Sequence, residues 1–274
     1  MRGQARAAAA GAVVLVMLVG GCGSDEDDDE ARRRDTSDDV LGTFAAAEQP
    51  ASTEELDAAV EVMERRVEAL HVGRVDVRRD GDQIVVRIDD PHDREAVLPI
   101  VGVLGELRFR PVLMESPTTG DKAKLDQTFP VTSPTDDEAG QTVVLETEDR
   151  DIRYELGPAL ASDRVVETAE ASLGQTAEWQ VRLTLEEGPD GIDGFNGLAG
   201  QCFQADPDCP TGKIAIVFDS VVESAPTVQE QSYRRDQIQI SGAFTKQEAE
   251  DLAVVLASGT LPIRLERQTV QQAG

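Results

Sequence analysis

The segment that decides the fold is STEELDAAVEVMERRVEALHVGRVDVRRDGDQIVVRI, residues 52–88. Ser52 and Glu55 have the S-x-x-E spacing of a capping box, which predicts a helix beginning directly after Ser52. Five apolar residues then recur at intervals of four and three: Leu56, Val60, Met63, Val67 and Leu70. This spacing predicts that one face of the helix packs on a core while the opposite face meets water.

Two short alternating runs follow the helix, at residues 75–77 and 84–88, with Asp80-Gly81 between them. An Asp-Gly pair between alternating runs is a strong hairpin signal. A second helix is expected over 93–103, kinked or split at Pro99, and then a strand over 107–112. Helix, strand, strand, helix and strand in this order predict a ferredoxin-like α+β layer, which we call the base.

The middle of the chain mixes several signals. Residues 114–140 are rich in Pro, Thr, Asp and Gly and predict a long exposed loop. A strand is expected at 143–145, a helix near 162–173, and a strand at 178–185 that buries alternate side chains. Glycines recur every third residue through GPDGIDGFNGLAG (188–200), but no lysine or Ser/Thr completes a phosphate-binding loop, so a short irregular helix is expected.

The last third predicts strands and one helix. Two apolar runs, 214–218 and 221–228, flank Asp219-Ser220 and indicate a hairpin. A strand around Ile238 and Ile240 is expected to end at Ser241-Gly242. Thr245 and Glu248 form a second capping box, opening a helix that Ser258-Gly259 ends, and a final strand covers 261–270.

The first 22 residues have the pattern of an export signal. Arg2 and Arg6 precede an apolar run, 7–19, that would be about 20 Å long as a helix, and a bilayer needs roughly twenty residues. Val19-Gly20-Gly21-Cys22 resembles a bacterial lipobox; the alternative is an ordinary signal that ends near a cysteine. The lipobox predicts cleavage before Cys22 and modification of Cys22 with diacylglycerol and an N-linked acyl chain such as palmitate. The chain would then be anchored at the outer face of the cytoplasmic membrane.

Charge and cysteine content restrict the remaining possibilities. The net charge of −27 argues against nucleic acid as a partner, and residues 22–52 are expected to form a disordered acidic linker. Outside the cytoplasm, Cys202 and Cys209 predict a disulfide; a metal site would need two more ligands, and His71 and His92 are remote. No G-x-S-x-G or H-E-x-x-H motif occurs. We therefore expect no catalysis, no cofactor, no metal and no small-molecule substrate.

Five stretches resemble the large periplasmic domain of the SecD/SecDF protein-export family. They are RVEALHVGRVDVRRDGDQIVVRIDD (66–90), LGELRFRPV (104–112), ELGPALASDRVVETAEASLGQTAEWQVRL (155–183), IVFDSVVESAPTVQE (216–230) and QISGAFTKQEAEDLAVVLASGTLPIRLE (239–266). The resemblance implies a base made of 53–112 with 260–270 and an inserted α+β head, 113–259. The domain division is thus a signal peptide (1–21), the lipidated linker (22–52), the base and the head.

Two departures from SecD shape the functional expectation. The acidic tail stands where SecD has a membrane helix, a glycine-containing motif and a strand, and the chain stops at Gly274 where SecD continues into further membrane helices. Without membrane-embedded carboxylates, proton-driven pumping by this chain alone is not expected.

The resemblance therefore implies a non-enzymatic accessory module of protein export that touches the Sec translocon or unfolded preprotein. The alternative is an envelope interaction protein that reuses the fold for another partner. Candidate polypeptide-binding features are the strand edges at 143–147 and 237–241 and three phenylalanines expected in exposed loops, Phe129, Phe195 and Phe203.

Overall fold

The computed structural model describes residues 40–47, 51–118, 122–159, 165–174 and 177–272, all within one compact unit. Its first and last strands lie side by side in a four-stranded antiparallel sheet. The elements of this layer are β1 (Val40–Ala46), α1 (Thr53–Leu70), β2 (Val75–Asp80), β3 (Gln83–Ile88), α2 (Arg94–Val101) and β12 (Leu265–Gln272). The strand order β12-β1-β3-β2, with both helices packed on one face, is the predicted ferredoxin-like arrangement.

The strand β1 corrects the predicted disordered linker over residues 40–46. It pairs with β12 on one side and β3 on the other, and Val40, Phe44 and Ala46 are buried. The layer therefore has the strand before α1 that the acidic tail was expected to replace. The predictions for the signal peptide, for Cys22 and for the rest of the tail up to residue 39 lie outside the described residues.

Both predicted capping boxes are confirmed, but the buried face of α1 differs from the predicted stripe. The Ser52 hydroxyl accepts a hydrogen bond from the Glu55 N–H at 3.2 Å, and the Ser52 N–H donates to the Glu55 carboxylate at 2.7 Å. The buried residues of α1 are Leu56, Ala59, Val62, Met63 and Arg66. Compared with the predicted stripe, the buried face is rotated toward Arg66. The spacing of apolar residues cannot predict that an arginine is buried. The helix α2 runs through Pro99 without being split.

A second, five-stranded sheet follows the base layer. Its strands are β4 (Leu107–Pro117), β5 (Val143–Glu146), β6 (Ile152–Leu156), β9 (Ile214–Phe218) and β10 (Val221–Ser224), in the order β10-β9-β4-β6-β5. A parallel bridge between Thr147 and Val222 brings the two outer strands together, so the sheet curls around its own apolar core. The strand β4, expected in the base, is the middle strand of this sheet. The hairpin at Asp219-Ser220 is confirmed, and both residues have positive φ.

The predicted long loop, 114–140, is wrong in part. The strand β4 continues to Pro117, and a helix, α3 (Lys122–Thr128), lies within the segment. Asp137 is 7% exposed and forms an ion pair with the fully buried Arg110. The polar composition of the segment predicted an exposed loop. Composition cannot show that the buried Arg110 holds the loop against the sheet.

A third sheet, with the order β11-β8-β7, packs against two helices. Its elements are β7 (Val166–Leu173), β8 (Trp179–Leu185), α4 (Ile192–Phe203), β11 (Ile238–Phe244) and α5 (Lys246–Ser258). The helix predicted near 162–173 is wrong where it is described, since pairing with β8 overrides the helix preference of Ala and Glu. The strand β11 passes through Ser241-Gly242 to Phe244 with an irregular register there.

The predicted disulfide between Cys202 and Cys209 is present. It joins the last turn of α4 to the loop that leads into β9, and both sulfurs are buried against the head core. The predicted glycine-rich helix is α4, which is a regular α-helix of 12 residues.

Candidate polypeptide-binding groove

An apolar cavity of about 300 Å³ opens between β9, the segment 226–229 and β11. Its principal walls are Phe109, Phe195, Ile214, Ile216, Tyr233 and Ile238. These side chains come from the five-stranded sheet, the three-stranded sheet, α4 and, for Tyr233, the loop before β11, so the cavity lies where the two sheets meet. Its exposed edge carries Pro226, Thr227 and Gln229. We call this feature the head groove.

One wall of the head groove is a row of three aromatic rings. The ring centroids of Phe109 and Phe195 lie 5.0 Å apart at 77°, and those of Phe195 and Tyr233 lie 5.8 Å apart at 73°. Both are edge-to-face contacts, which stabilise aromatic pairs beyond their buried area. The expectation that Phe195 is an exposed loop residue is wrong, because α4 buries it to 6% exposure. Phe195 contributes a fixed wall of the cavity instead.

The other two candidate phenylalanines lie away from the head groove. Phe203, at the end of α4, is 47% exposed. Phe129 is half-buried, and its carbonyl accepts a hydrogen bond from the fully buried Arg153. Neither ring lines the cavity. Any part they play in polypeptide binding stays a prediction.

The two predicted strand edges differ in how much of their backbone is covered. The strand β5 is an outer strand, but the N–H and carbonyl of Val144 bond to Thr132 at 2.9 and 2.8 Å. The strand β11 is also an outer strand, and among the described strands it pairs only with β8. Its Ile238, Gln239 and Ser241 line the head groove. An outer strand and an apolar cavity therefore occur together at β11.

A larger cleft of about 630 Å³ lies between the end of α1, β7 and α5. Alanines make much of its floor, and Glu170, Glu250 and Asp251 stand at its rim. Two of these acids have intramolecular partners, Lys246 for Glu250 and Gln247 for Asp251. Size alone does not make it the better candidate, because it has no aromatic wall. Across the described residues, no group of three His, Cys, Asp or Glu side chains is arranged to hold a metal ion.

Glu223 in β10 is a carboxyl group with a raised pKa. Glu223 is the extra residue of a bulge between Val222 and Ser224, and it is partly buried. Burial, with further contributions from Glu148 and Asp219, raises the pKa of Glu223 from about 4.5 to about 7. Asp219 also has a raised pKa, chiefly through burial, although it accepts hydrogen bonds from the N–H groups of Gly105 and Glu106.

The raised pKa of Glu223 predicts that stability falls as the pH rises from about 4.5 to about 7. In this window the folded chain holds a proton that the unfolded chain has released, so raising the pH favours unfolding. We expect the wild type to lose on the order of 2 kcal/mol between about pH 5 and pH 8 that Glu223→Gln does not lose. Urea unfolding followed by Trp179 fluorescence measures this difference. The exposed Glu230→Gln is the control, and a Glu223→Gln profile parallel to that of the wild type would refute the assignment.

Comparison with known proteins places most of the chain in one group. Residues 138–263 match the family model of the SecDF P1 head subdomain. SecDF of Brucella abortus is 29% identical over 231 residues, covering 82% of this chain and 28% of the relative. SecDF of Thermus thermophilus is 28% identical over 233 residues, covering 84% of this chain and 29% of the relative. Most of the chain is thus similar in sequence to SecDF.

Solved structures agree with this assignment. The crystal structure of SecDF in its super-membrane-facing form superposes with a TM-score of 0.63 at 26% identity, over 85% of this chain and 30% of that one. A second chain, from the structure of SecDF as a membrane component that enhances protein export, has a TM-score of 0.60 at 24% identity. This likeness covers 84% of the present chain and 99% of the solved one, and it shows the shared fold.

The SecD and SecDF relatives are much longer than the region they share with this chain. The chain spans about 28% and 29% of the two SecDF relatives and 39% of SecD from Magnetococcus marinus. None of the described helices is both long enough and apolar enough to cross a bilayer. The part of this region that a family model identifies is the P1 head subdomain.

Proposed function

We propose that this chain is an extracytoplasmic, lipid-anchored accessory of Sec-dependent protein export that binds unfolded polypeptide without catalysing a reaction. The head groove carries the proposal, because it combines an apolar cavity with an outer strand. Similarity to SecDF, a membrane component that enhances protein export, supports a protein undergoing export as the bound polypeptide. The predicted division into a base and a head is part of this proposal.

The chemistry of the head groove suits a client of variable sequence. An extended chain that pairs with a strand edge uses main-chain groups common to all sequences, and a side chain in a pocket adds affinity. The net charge of −27 favours neutral or basic segments over acidic ones. Added salt should weaken that charge preference, since screening shortens the reach of surface charges.

Filling the head groove is expected to weaken polypeptide binding. Thr227 is exposed and lines the groove, so Thr227→Trp places a large ring at the opening without disturbing the core. We expect the wild type to bind a labelled, neutral or basic unfolded polypeptide with a dissociation constant above roughly 1 μM, and Thr227→Trp to bind at least about tenfold more weakly. Fluorescence anisotropy of the labelled polypeptide measures both.

The control for this experiment is Thr135→Trp, at an exposed threonine that does not line the head groove. It should bind like the wild type. If neutral, basic and acidic unfolded chains all fail to bind the wild type at hundreds of micromolar, polypeptide binding is wrong. The protein used should begin before Val40, because β1 is an inner strand of the base sheet.

The lipid anchor is a separate part of the proposal and has its own test. Cys22→Ser removes the thiol that the lipobox would modify, so incorporation of labelled palmitate should be lost and the protein should leave the membrane fraction. The wild type and Cys202→Ser, which alters a cysteine outside the lipobox, should both stay labelled and membrane-bound. Membrane association that persists in Cys22→Ser would contradict the anchor.

The alternative function is that of an envelope interaction protein that binds a partner outside the Sec system. Sec components that co-purify with the wild type from gently solubilised membranes would support the export role. A reproducible partner outside the Sec system, with Sec components absent, would support an envelope interaction protein. The fold and the head groove are compatible with both functions, so the identity of the co-purified partner distinguishes them.

A further inference from the structure

The side chain of Asn196 joins the loop over residues 229–237 to α4 by two hydrogen bonds. Its amide nitrogen donates to the carbonyl of Tyr233 at 3.1 Å, and its amide oxygen accepts from the N–H of Tyr233 at 2.8 Å. The side-chain amide thus satisfies both main-chain groups of one residue, as a neighbouring strand would. Asn196 is the only asparagine in the chain, and it lies within the glycine-rich run 188–200.

Tyr233 is fixed by its ring and hydroxyl as well as by its backbone. The hydroxyl oxygen accepts hydrogen bonds from the N–H groups of Gln229 and Glu230 at 3.1 and 3.2 Å. The ring packs edge-to-face on Phe195 and lines the head groove. Two contacts of its backbone and three of its side chain therefore fix the position of Tyr233. Of the residues that follow it, Arg234 and Asp236 pair with each other, and Arg235 pairs with Glu167 and Glu187 outside the loop.

We propose that Tyr233 is the specificity-determining wall of the head groove and that Asn196 is the positioning residue that holds it there. The two residues set the size of the single apolar side chain, of leucine or phenylalanine class, that the groove accepts from a bound polypeptide. A wall held in one position admits side chains that fill the space and discriminates against smaller ones, because an unfilled cavity forfeits packing contacts. This inference rests on the proposed polypeptide-binding function and adds the chemistry of its anchor.

The test compares a set of peptides that differ at one position. The chain from Gly23 onward keeps the whole compact unit, 37–274, and can be titrated with extended peptides carrying Ala, Leu, Phe or Trp at the central position. We expect the wild type to prefer Leu or Phe over Ala by about tenfold or more. Asn196→Ala frees the wall, so the preference should fall to about threefold or less, with Trp gaining relative to Leu.

Two further variants separate positioning from folding. Tyr233→Phe keeps the ring but removes the acceptor for two N–H groups, and should give a preference between those of the wild type and Asn196→Ala. Phe203→Ala changes the same helix outside the groove and should leave the preference unchanged. Urea midpoints identify any variant that has lost its fold, and the ratio of peptide affinities does not depend on the fraction folded.

The outcomes are distinct. If no peptide binds the wild type, the proposed function and this inference both fail. If the wild type binds but shows no preference for larger anchors, or if Asn196→Ala and Tyr233→Phe both keep the wild-type preference, polypeptide binding stands and the assignment of Asn196 and Tyr233 is overturned.

Discussion

Replacing Asp137 with alanine is expected to lower the free energy of unfolding by about 3–5 kcal/mol. The Asp137 side chain is 1% exposed and accepts a hydrogen bond from Arg110 at 2.7 Å, and Arg108 lies 3.0 Å from the same oxygen. Arg110 is fully buried; burial and Arg108 lower its pKa, and Asp137 opposes that shift. Without Asp137, Arg108 and Arg110 lie close together, and the buried Arg110 loses the carboxylate that balances its charge. Urea unfolding followed by Trp179 fluorescence measures the loss.

The neighbouring Asp136→Ala is a matched control for this prediction. Asp136 has the same side chain in the same loop, but it is exposed and its carboxylate accepts a hydrogen bond from the Ser133 hydroxyl instead of pairing with a buried arginine. Its replacement should change the free energy of unfolding by less than about 1 kcal/mol. Equal effects of Asp136→Ala and Asp137→Ala would show that the buried ion pair does not hold the loop.

Much of the base could be predicted because short sequence motifs determine its first helix and hairpin. A capping box, an Asp-Gly turn and short alternating runs each act within a few residues, and they place α1, β2 and β3 correctly. The strand β1 also has a period-two pattern, but VLGTFAA follows an acidic segment whose composition suggested disorder. Its partners β3 and β12 lie far along the sequence, and only the assembled sheet shows why Val40 and Phe44 are buried.

The head was harder to predict because distant residues decide it. The strand β7 is built from residues that favour helices, and its pairing with β8 overrides that preference. Arg110 and Arg153 are charged residues in the core, so a hydrophobic pattern places them on the surface. Phe195 was predicted to lie in an exposed loop, whereas it is buried in α4, and Tyr233 lies in a polar stretch in which no local pattern indicates a buried ring. The sequence signal for the positioning residue is that Asn196, the single asparagine, lies within a glycine-rich run.

Replacing Arg66 with alanine is expected to lower the free energy of unfolding by at least about 3 kcal/mol. The guanidinium is fully buried and donates to the carbonyls of Ile100, Val101, Val103, Leu104 and Gly259. Two of these, Ile100 and Val101, are the last residues of α2, where carbonyls lack the usual partner four residues further along the helix. Burial lowers the pKa of Arg66 to about 10, so the group still carries its charge at neutral pH. Its removal leaves several buried acceptors unsatisfied.

The position of Arg66 makes the effect of its loss extend beyond α1. The segment 102–106 leaves the base layer and the segment 259–264 returns to it, and they are joined by the Leu261 N–H to Leu104 carbonyl bond at 2.8 Å. Arg66 bonds to both segments. Gly105, within the first segment, has φ +79°, and a Cβ there would lie 2.7 Å from the Arg66 guanidinium, so the backbone is fitted around this side chain.

The adjacent Arg65→Ala is the control for Arg66→Ala. Arg65 is exposed and donates one described hydrogen bond, to the Ser258 carbonyl at 3.2 Å, so its loss should be below about 1 kcal/mol. Arg66→Lys should fall between the two, because an ammonium keeps the charge but cannot reach carbonyls on both sides of the junction. If the junction couples the base layer to the rest of the fold, the Arg66→Ala variant should unfold in one transition. Far-UV circular dichroism and Trp179 fluorescence should then give the same urea midpoint. Similar losses for Arg65→Ala and Arg66→Ala would contradict this role.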